Sequence, residues 1–127
     1  MIVAVDTNRY RDFCEGNDEA VSVFRKADLI CMPFTVLAEL RAGFACGAAS
    51  RKNEAVLNRF LNRSRVTVKF PDEQTTFHFA RIFRQLREQG TPIPMNDIWL
   101  AALVQQHNML LFSRDSHFDH LPQLARI

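Results

Sequence analysis

Residues 2–8 read Ile2-Val3-Ala4-Val5-Asp6-Thr7-Asn8, an uninterrupted run of four apolar side chains that ends at an acid. Such a run is typical of a short strand buried on both faces, as in a parallel sheet covered by helices. In open sheets of this kind, ligands bind just beyond the carboxyl ends of the strands. The stretch therefore predicts a buried strand and makes Asp6 the first candidate for a functional site.

Strands and helices alternate along the rest of the chain. The patterns predict further strands at 29–32, 65–70, 109–112 and 125–127 and helices over 17–26, 35–46, 50–62, 72–90 and 96–107. Thr35, Ser50 and Asp72 are the predicted N-caps, Gly90 the stop of the longest helix, and Phe83 one of its buried residues. We therefore expect one domain over residues 1–127, an α/β three-layer sandwich with a mostly parallel sheet of about five strands flanked by helices.

The bulk composition excludes several classes of protein. No apolar run approaches the ~20 residues that span a bilayer, and an acid already at position 6 argues against a signal peptide, so we expect a cytoplasmic protein without a membrane segment. The three cysteines (Cys14, Cys31 and Cys46) form no C-x-x-C pair. We expect them to be small apolar side chains in a reduced interior rather than a metal or redox site.

Three acids are predicted to lie close together at one edge of the sheet. Asp6 and Asp115 follow buried strands, and Asp97 stands in the first turn of a helix, where the helix dipole favours negative charge. Glu39 is a fourth candidate because its helical neighbours are apolar or small, and an acid on an apolar surface requires a partner. Taken alone, Glu39 could equally reach water or pair with Arg41.

Four ionised carboxylates in one place require a counter-charge, either protons or a divalent cation. Oxygen ligands favour a hard cation, so the pattern predicts Mg²⁺ or Mn²⁺, and such a metal would activate a water for phosphoryl chemistry. The four histidines are dispersed, which disfavours zinc, and each is expected to be a surface or hydrogen-bonded residue rather than a ligand: His78, His107, His117 and His120.

Basic residues are concentrated between positions 51 and 87. This stretch holds nine lysines and arginines against three acids, although the net charge of the whole chain is only +2. Arginine suits phosphate because its planar guanidinium donates two parallel hydrogen bonds. The stretch could hold a nucleic-acid backbone, or its arginines could simply be the solvated faces of two helices.

Four short motifs together resemble those of PIN-domain nucleases, and in particular the VapC-type toxins of bacterial toxin–antitoxin pairs. They are Asp6-Thr7-Asn8 after the first strand, Glu39-Leu40-Arg41-Ala42-Gly43, the block Asn96-Asp97-Ile98-Trp99-Leu100-Ala101-Ala102, and Ser113-Arg114-Asp115-Ser116-His117-Phe118, with Ser in place of the commoner Thr. They occur in the family's order and cover nearly the whole chain.

The resemblance implies a five-stranded parallel sheet, Mg²⁺ or Mn²⁺ on Asp6, Glu39, Asp97 and Asp115, and endoribonuclease activity. It also implies a homodimer inhibited by a small antitoxin that blocks the active-site groove. Four supporting positions follow from it: Asn8 and Asn96 would orient their neighbours, Ser113 would lie beside the metal-bound water, and Asp119 is a possible fifth acid, although a turn residue is the preferred interpretation.

Other functions remain open at this point. A catalytically silent nucleic-acid or protein-binding module on the same scaffold is the main alternative, although all four acids are present. A haloacid-dehalogenase-like phosphatase would need a second Asp two places after Asp6, where the chain has Asn8. A phospho-acceptor signalling domain would need paired acids and a lysine after the last strand, which the chain lacks.

Overall fold

One parallel sheet of four strands organises residues 1–127 in the computed structural model. The strands are β1 (Ile2–Val5), β2 (Leu29–Pro33), β3 (Val66–Lys69) and β4 (Leu110–Phe112), in the spatial order β3-β2-β1-β4. Six α-helices flank the sheet: α1 (Thr7–Cys14), α2 (Asp18–Lys26), α3 (Phe34–Cys46), α4 (Ser50–Leu61), α5 (Glu73–Gln89) and α6 (Met95–Gln106). A 3₁₀ helix, Ser116–His120, follows β4. The α/β class is confirmed.

The strand order reverses direction at β1. The chain adds β2 and β3 on one side of β1 and then returns to place β4 on the other, so Val3 is paired with both Ile30 and Leu110. In sheets of this kind, such a reversal opens a crevice at the carboxyl ends of the two strands that flank it. The crevice between the ends of β1 and β4 is therefore the expected place for a functional site.

The apolar pattern of the sequence corresponds to a single buried cluster. It contains 29 residues, among them Val3, Ala4 and Val5, each 0% exposed. In α6, residues 100–104 are all buried, which explains their nearly continuous apolar sequence. The strand predicted for residues 2–5 is confirmed, and it is buried on both faces at Val3, Ala4 and Val5, whereas Ile2 is 40% exposed.

Of the three predicted N-caps, one is confirmed and two are wrong. Asp72 caps α5 by accepting from Thr75 N at 3.1 Å, and Gly90 ends the helix with a left-handed φ of 70°. Thr35 and Ser50 are not N-caps, because each lies inside its helix and makes no capping hydrogen bond. α3 instead begins directly after Pro33, whose fixed φ is compatible with helix entry.

The number of strands is lower than predicted. Residues 125–127 form only an isolated bridge, in which Leu111 N donates to Ala125 O at 2.8 Å and Ile127 N donates to Leu111 O at 3.1 Å. Residues 121–124 form the turn before this bridge, and the pairing with β4 is limited to the bridge between Leu111 and Arg126. The prediction of a fifth strand was therefore wrong.

Several local predictions also need correction. Helix α1 was not predicted, and Phe83 is 42% exposed rather than buried. Only Cys31 is interior, because Cys14 and Cys46 lie in the last turns of α1 and α3 and are exposed. None of the helices combines the length and the apolar character required to cross a bilayer.

Candidate functional site

Asp6 lies at the junction of β1 and α1, inside the crevice. Its backbone N–H donates to Phe112 O at 3.1 Å, which ties it to the end of β4. Its side chain is the N-cap of α1 and accepts from Thr7 N at 2.8 Å. The residue is only 6% exposed, so the sequence places a carboxylate where the sheet and the first helix meet.

Ser113 joins this carboxylate to the segment that follows β4. The Ser113 hydroxyl donates to Asp6 Oδ2 at 2.6 Å and accepts from Asp115 N at 3.0 Å. The side chain is buried, and its hydrogen bond to Asp6 is shielded from water, whereas the bond from Asp115 N is partly buried. One hydroxyl therefore fixes both the Asp6 carboxylate and the backbone that carries Asp115.

Asp97, Asp115 and His117 converge beside Asp6. Asp97 extends from the first turn of α6, and Asp115 caps the 3₁₀ helix by accepting from His117 N at 2.9 Å. The His117 Nδ1 atom lies 2.7 Å from Asp97 Oδ2 and 3.2 Å from Asp115 Oδ1. One donor atom from each of the three residues lies within 4.8 Å of the other two.

The electrostatics of the cluster disfavour the ionised forms of its buried acids. Burial raises the pKa of Asp6, and the carboxylates of Glu39 and Asp115 raise it further, against the hydrogen bonds from Ser113 and Thr7. Burial also raises the pKa of Asp97, and Asp115 and Asp6 add to the effect. The pKa of the His117 imidazole is raised, first by its hydrogen bond to Asp97. A bound cation would relieve this repulsion.

The donor set fits a hard divalent cation. Carboxylate oxygens are the ligands that Mg²⁺ and Mn²⁺ prefer. Asp97 and Asp115 offer such oxygens within 4.8 Å of each other, and Asp6 lies near enough to raise the pKa of Asp97, although it is not one of the clustered donors. No cysteine takes part, and the exposed Cys14 and Cys46 lie elsewhere on the helices. The chemistry of the residues is therefore compatible with the metal that the sequence predicts.

Glu39 lies at the edge of this cluster rather than in its centre. Its Oε2 accepts from the Thr7 hydroxyl at 2.7 Å, and its charge contributes to the raised pKa of Asp6. The residue is exposed, because no element covers positions 38 and 39 of α3. The interpretation that Glu39 points into an apolar surface was therefore wrong, although its carboxylate does face Asp6.

The supporting residues have different surroundings. Asn8 Oδ1 accepts from Arg114 N at 3.1 Å and so holds the segment after β4 against α1. Asn96 is exposed and makes no hydrogen bond through its side chain. Asp119 pairs with Arg126 at 2.6 Å and is not among the clustered donors.

Three residues of this region were not identified as site residues from the sequence. His117 was expected to be a surface or hydrogen-bonded side chain, yet it bridges two carboxylates. Arg126 donates to the carbonyls of Ser113 and Asp115 at 3.1 and 3.4 Å, and Asp12 pairs with Arg114 through both carboxylate oxygens at 2.9 Å. Only His117 had a local signal, since it lies two residues after a predicted site acid.

Known proteins are similar to this chain in sequence and in structure. Residues 3–124 match the family model of the PIN domain. Ribonuclease VapC1 of Haemophilus influenzae (strain R2866) is 33% identical over 125 residues, which cover 90% of this chain and 92% of that protein. Ribonuclease VapC2 of Rickettsia felis is 26% identical over 132 residues, covering 98% and 95%.

Solved structures agree with the fold. VapBC2 from Rickettsia felis, bound to a DNA fragment from its promoter, superposes with a TM-score of 0.88 at 24% identity, covering 100% of this chain and 98% of that one. VapBC-1 from nontypeable Haemophilus influenzae gives a TM-score of 0.84 at 26% identity, covering 100% and 97%. The chain therefore belongs to the PIN-domain family and is a VapC-type member of it.

Proposed function

We propose that this chain is a Mg²⁺- or Mn²⁺-dependent endoribonuclease that acts as the toxin of a toxin–antitoxin pair in the cytoplasm. The observation that carries the proposal is the convergence of Asp6, Asp97 and Asp115, two of which have raised pKa values because they are buried together. The relatives named as VapC ribonucleases support the same activity. We assign the site to Asp6, Glu39, Asp97 and Asp115.

The chain's own residues supply a preorganised acidic pocket for hydrolysis of a phosphodiester. A divalent cation in such a pocket supplies Lewis-acid activation of phosphate and of water. Asp6, Asp97 and Asp115 would hold the cation, with Glu39 at the open edge. Ser113 keeps the Asp6 carboxylate oriented through its buried 2.6 Å hydrogen bond, so little reorganisation is needed when substrate arrives.

Exposed cations on α1 and α4 support an RNA substrate. Arg11 approaches the position where a Cβ would stand on Gly43, at 3.7 Å, one helical turn beyond Glu39. Arg51 and Lys52 at the start of α4 are also exposed. Arginine and lysine side chains of this kind hold a phosphate backbone without reading its sequence. Arg9 is not available for this role, because its guanidinium is buried over the Phe112 ring at 4.4 Å.

A groove beside the crevice supports an antitoxin partner. It has a volume of about 390 Å³ and lies between α1, α3 and α4, where Tyr10, Leu40 and Phe44 line its apolar part and Arg11 its polar edge. Solved relatives are described as VapBC complexes. We propose that an antitoxin segment occupies this groove and blocks access to Glu39 and Asp6. Val56→Glu in the groove should weaken inhibition without changing free cleavage activity.

We also propose that the chain forms a homodimer. Three large apolar side chains on α5 and the start of α6 remain exposed, namely Phe77, Phe83 and Met95. Phe and Met are enriched at protein–protein interfaces relative to the rest of the surface. Light scattering on the purified chain tests the proposal, and a monomer at micromolar concentration would contradict it.

The decisive experiment is cleavage of a labelled total-RNA pool by protein freed of any bound antitoxin. The wild type is compared with Asp6→Asn, Asp97→Asn and the control Glu88→Gln, an exposed acid of α5 whose only partner is Arg84. Discrete cuts are expected with Mg²⁺ or Mn²⁺, none with EDTA or with the first two variants, and full activity with the control. Equal cutting by Asp6→Asn would mean a contaminating nuclease. Binding of RNA without any cutting would favour the silent binding module.

A further inference from the structure

The His117 imidazole lies between two carboxylates of the proposed metal site. Its Nδ1 atom lies between Asp97 Oδ2 and Asp115 Oδ1, at 2.7 and 3.2 Å. Neighbouring ligands of one small divalent cation are separated by about 3 Å, and opposite ligands by about 4 Å. The two Nδ1–oxygen distances, 2.7 and 3.2 Å, are close to the value for neighbouring ligands, and all three donor atoms lie within 4.8 Å of one another.

The fold holds the imidazole at this place from both ends. Asp115 accepts from the backbone N–H of His117 at 2.9 Å, which sets the start of the 3₁₀ helix. The next residue, Phe118, is 0% exposed and anchors the same turn in the core. The His117 side chain itself is 44% exposed, so its position between the acids is not a consequence of burial.

We propose that His117 is a metal ligand through Nδ1, which makes the centre a mixed nitrogen and oxygen site that prefers Mn²⁺ over Mg²⁺. The inference rests on the proposed function only in requiring a divalent cation at these acids, and it concerns binding rather than cleavage. Mg²⁺ prefers oxygen ligands and retains several waters, whereas imidazole suits transition metals. A neutral imidazole can ligate through Nδ1 while Nε2 carries the proton.

A competing role is that His117 only donates a hydrogen bond that orients Asp97 and Asp115. Asparagine distinguishes the two roles, because its amide places a donor near the position of Nδ1 but provides no imidazole nitrogen. His120→Asn is the matched control, since His120 lies in the same 3₁₀ helix, is exposed, and its side chain contacts none of the acids.

The experiment measures Mn²⁺ binding to the free protein without RNA. Electron paramagnetic resonance titration gives the affinity for Mn²⁺, competition gives that for Mg²⁺, and electron spin-echo modulation detects a directly bound ¹⁴N nucleus. We expect ¹⁴N coupling in the wild type and in His120→Asn. In His117→Asn the coupling should vanish and Mn²⁺ should bind on the order of 10-fold more weakly, with Mg²⁺ affinity changed far less.

The wild-type spectrum alone can overturn the inference, so the result does not depend on how well a variant folds. Bound Mn²⁺ without ¹⁴N coupling, or coupling that persists in His117→Asn, would show that His117 is not a ligand. Metal-dependent RNA cleavage without ¹⁴N coupling would overturn this inference and leave the proposed function standing. ¹⁴N coupling without RNA cleavage would support this inference and contradict the proposed function. Absence of any Mn²⁺ binding would contradict both.

Discussion

Replacing Ser113 with alanine removes the one hydroxyl that links the two strand ends of the site. The change deletes the 2.6 Å hydrogen bond to Asp6 Oδ2 and leaves Asp115 N without its 3.0 Å acceptor. A hydrogen bond to a charged group contributes about 1.5–3 kcal/mol, more when its partners stay buried. We expect the free energy of unfolding to fall by about 2 kcal/mol. For a domain of this size the melting temperature should drop by roughly 8 °C.

The assay is urea unfolding followed by fluorescence of Trp99, the chain's single tryptophan. Its ring packs against Phe79 with centroids 4.4 Å apart, so unfolding changes its environment. Ser113→Thr keeps the hydroxyl and is the control, with an expected loss below about 0.5 kcal/mol. The alanine variant should also raise the pKa of Asp6 further, since the lost hydrogen bond lowers that pKa. An alanine variant as stable as wild type would refute the reasoning.

Three further predictions concern charge and the support of the site. Mn²⁺ at 100 times its Kd should raise the free energy of unfolding by about 2.7 kcal/mol, and an unchanged melting temperature at millimolar metal would count against the site. In EDTA, Asp97→Asn should gain stability relative to wild type as the pH rises above 3.8, the ordinary pKa of the carboxyl. Because the pKa of Asp97 is raised in the folded state, the folded wild type binds more protons than the unfolded chain above that pH. The stability of the wild type therefore falls as the pH rises through that window. Thermal melts between pH 4 and 7 measure this difference, and a constant difference would contradict it. Arg126→Ala should lower kcat for RNA on the order of 10- to 100-fold with little change in KM, because the guanidinium holds the carbonyls of Ser113 and Asp115. A rise in KM alone would assign Arg126 to substrate binding instead.

The central sheet and most helices could be predicted because their signals are local. Residues 2–5 are a continuous apolar run and form β1, and Asp72 with Gly90 marks both ends of α5 as expected. Helix α1 escaped prediction because its only two buried residues are Arg9 and Tyr10, which give no apolar stripe. The buried Arg9 is held by ion pairs with Asp12 and Glu19, at 3.2 and 3.3 Å, and by the Phe112 ring. The pairing with Glu19 and the contact with Phe112 join separate elements and have no local signal in the sequence.

The sequence also predicts that the acids of the site lie in one region, because the carboxyl ends of parallel strands and the starts of the helices that follow lie at the same edge of the sheet. What could not be predicted is their unequal burial. Asp6 is 6% exposed while Glu39 is exposed, because packing of α3 against its neighbours decides which helical face is covered. The role of Arg126 depends on a chain reversal after residue 120 that leaves only one bridge to β4. Such long-range returns have no local signature.

The position of β1 in the centre of the sheet has a consequence for how the chain is made. Its pairing with β4 joins Val3 to Leu110, and the proposed site combines Asp6 with Asp115, which lies 109 residues later (115 − 6). At 5–20 residues per second, a ribosome needs roughly 5 to 20 s to pass between these two acids. Throughout that time the proposed centre lacks at least Asp115. A toxin built in this order cannot cut RNA on the ribosome that is still translating it, and its partner gains that interval to be present when the last strand closes.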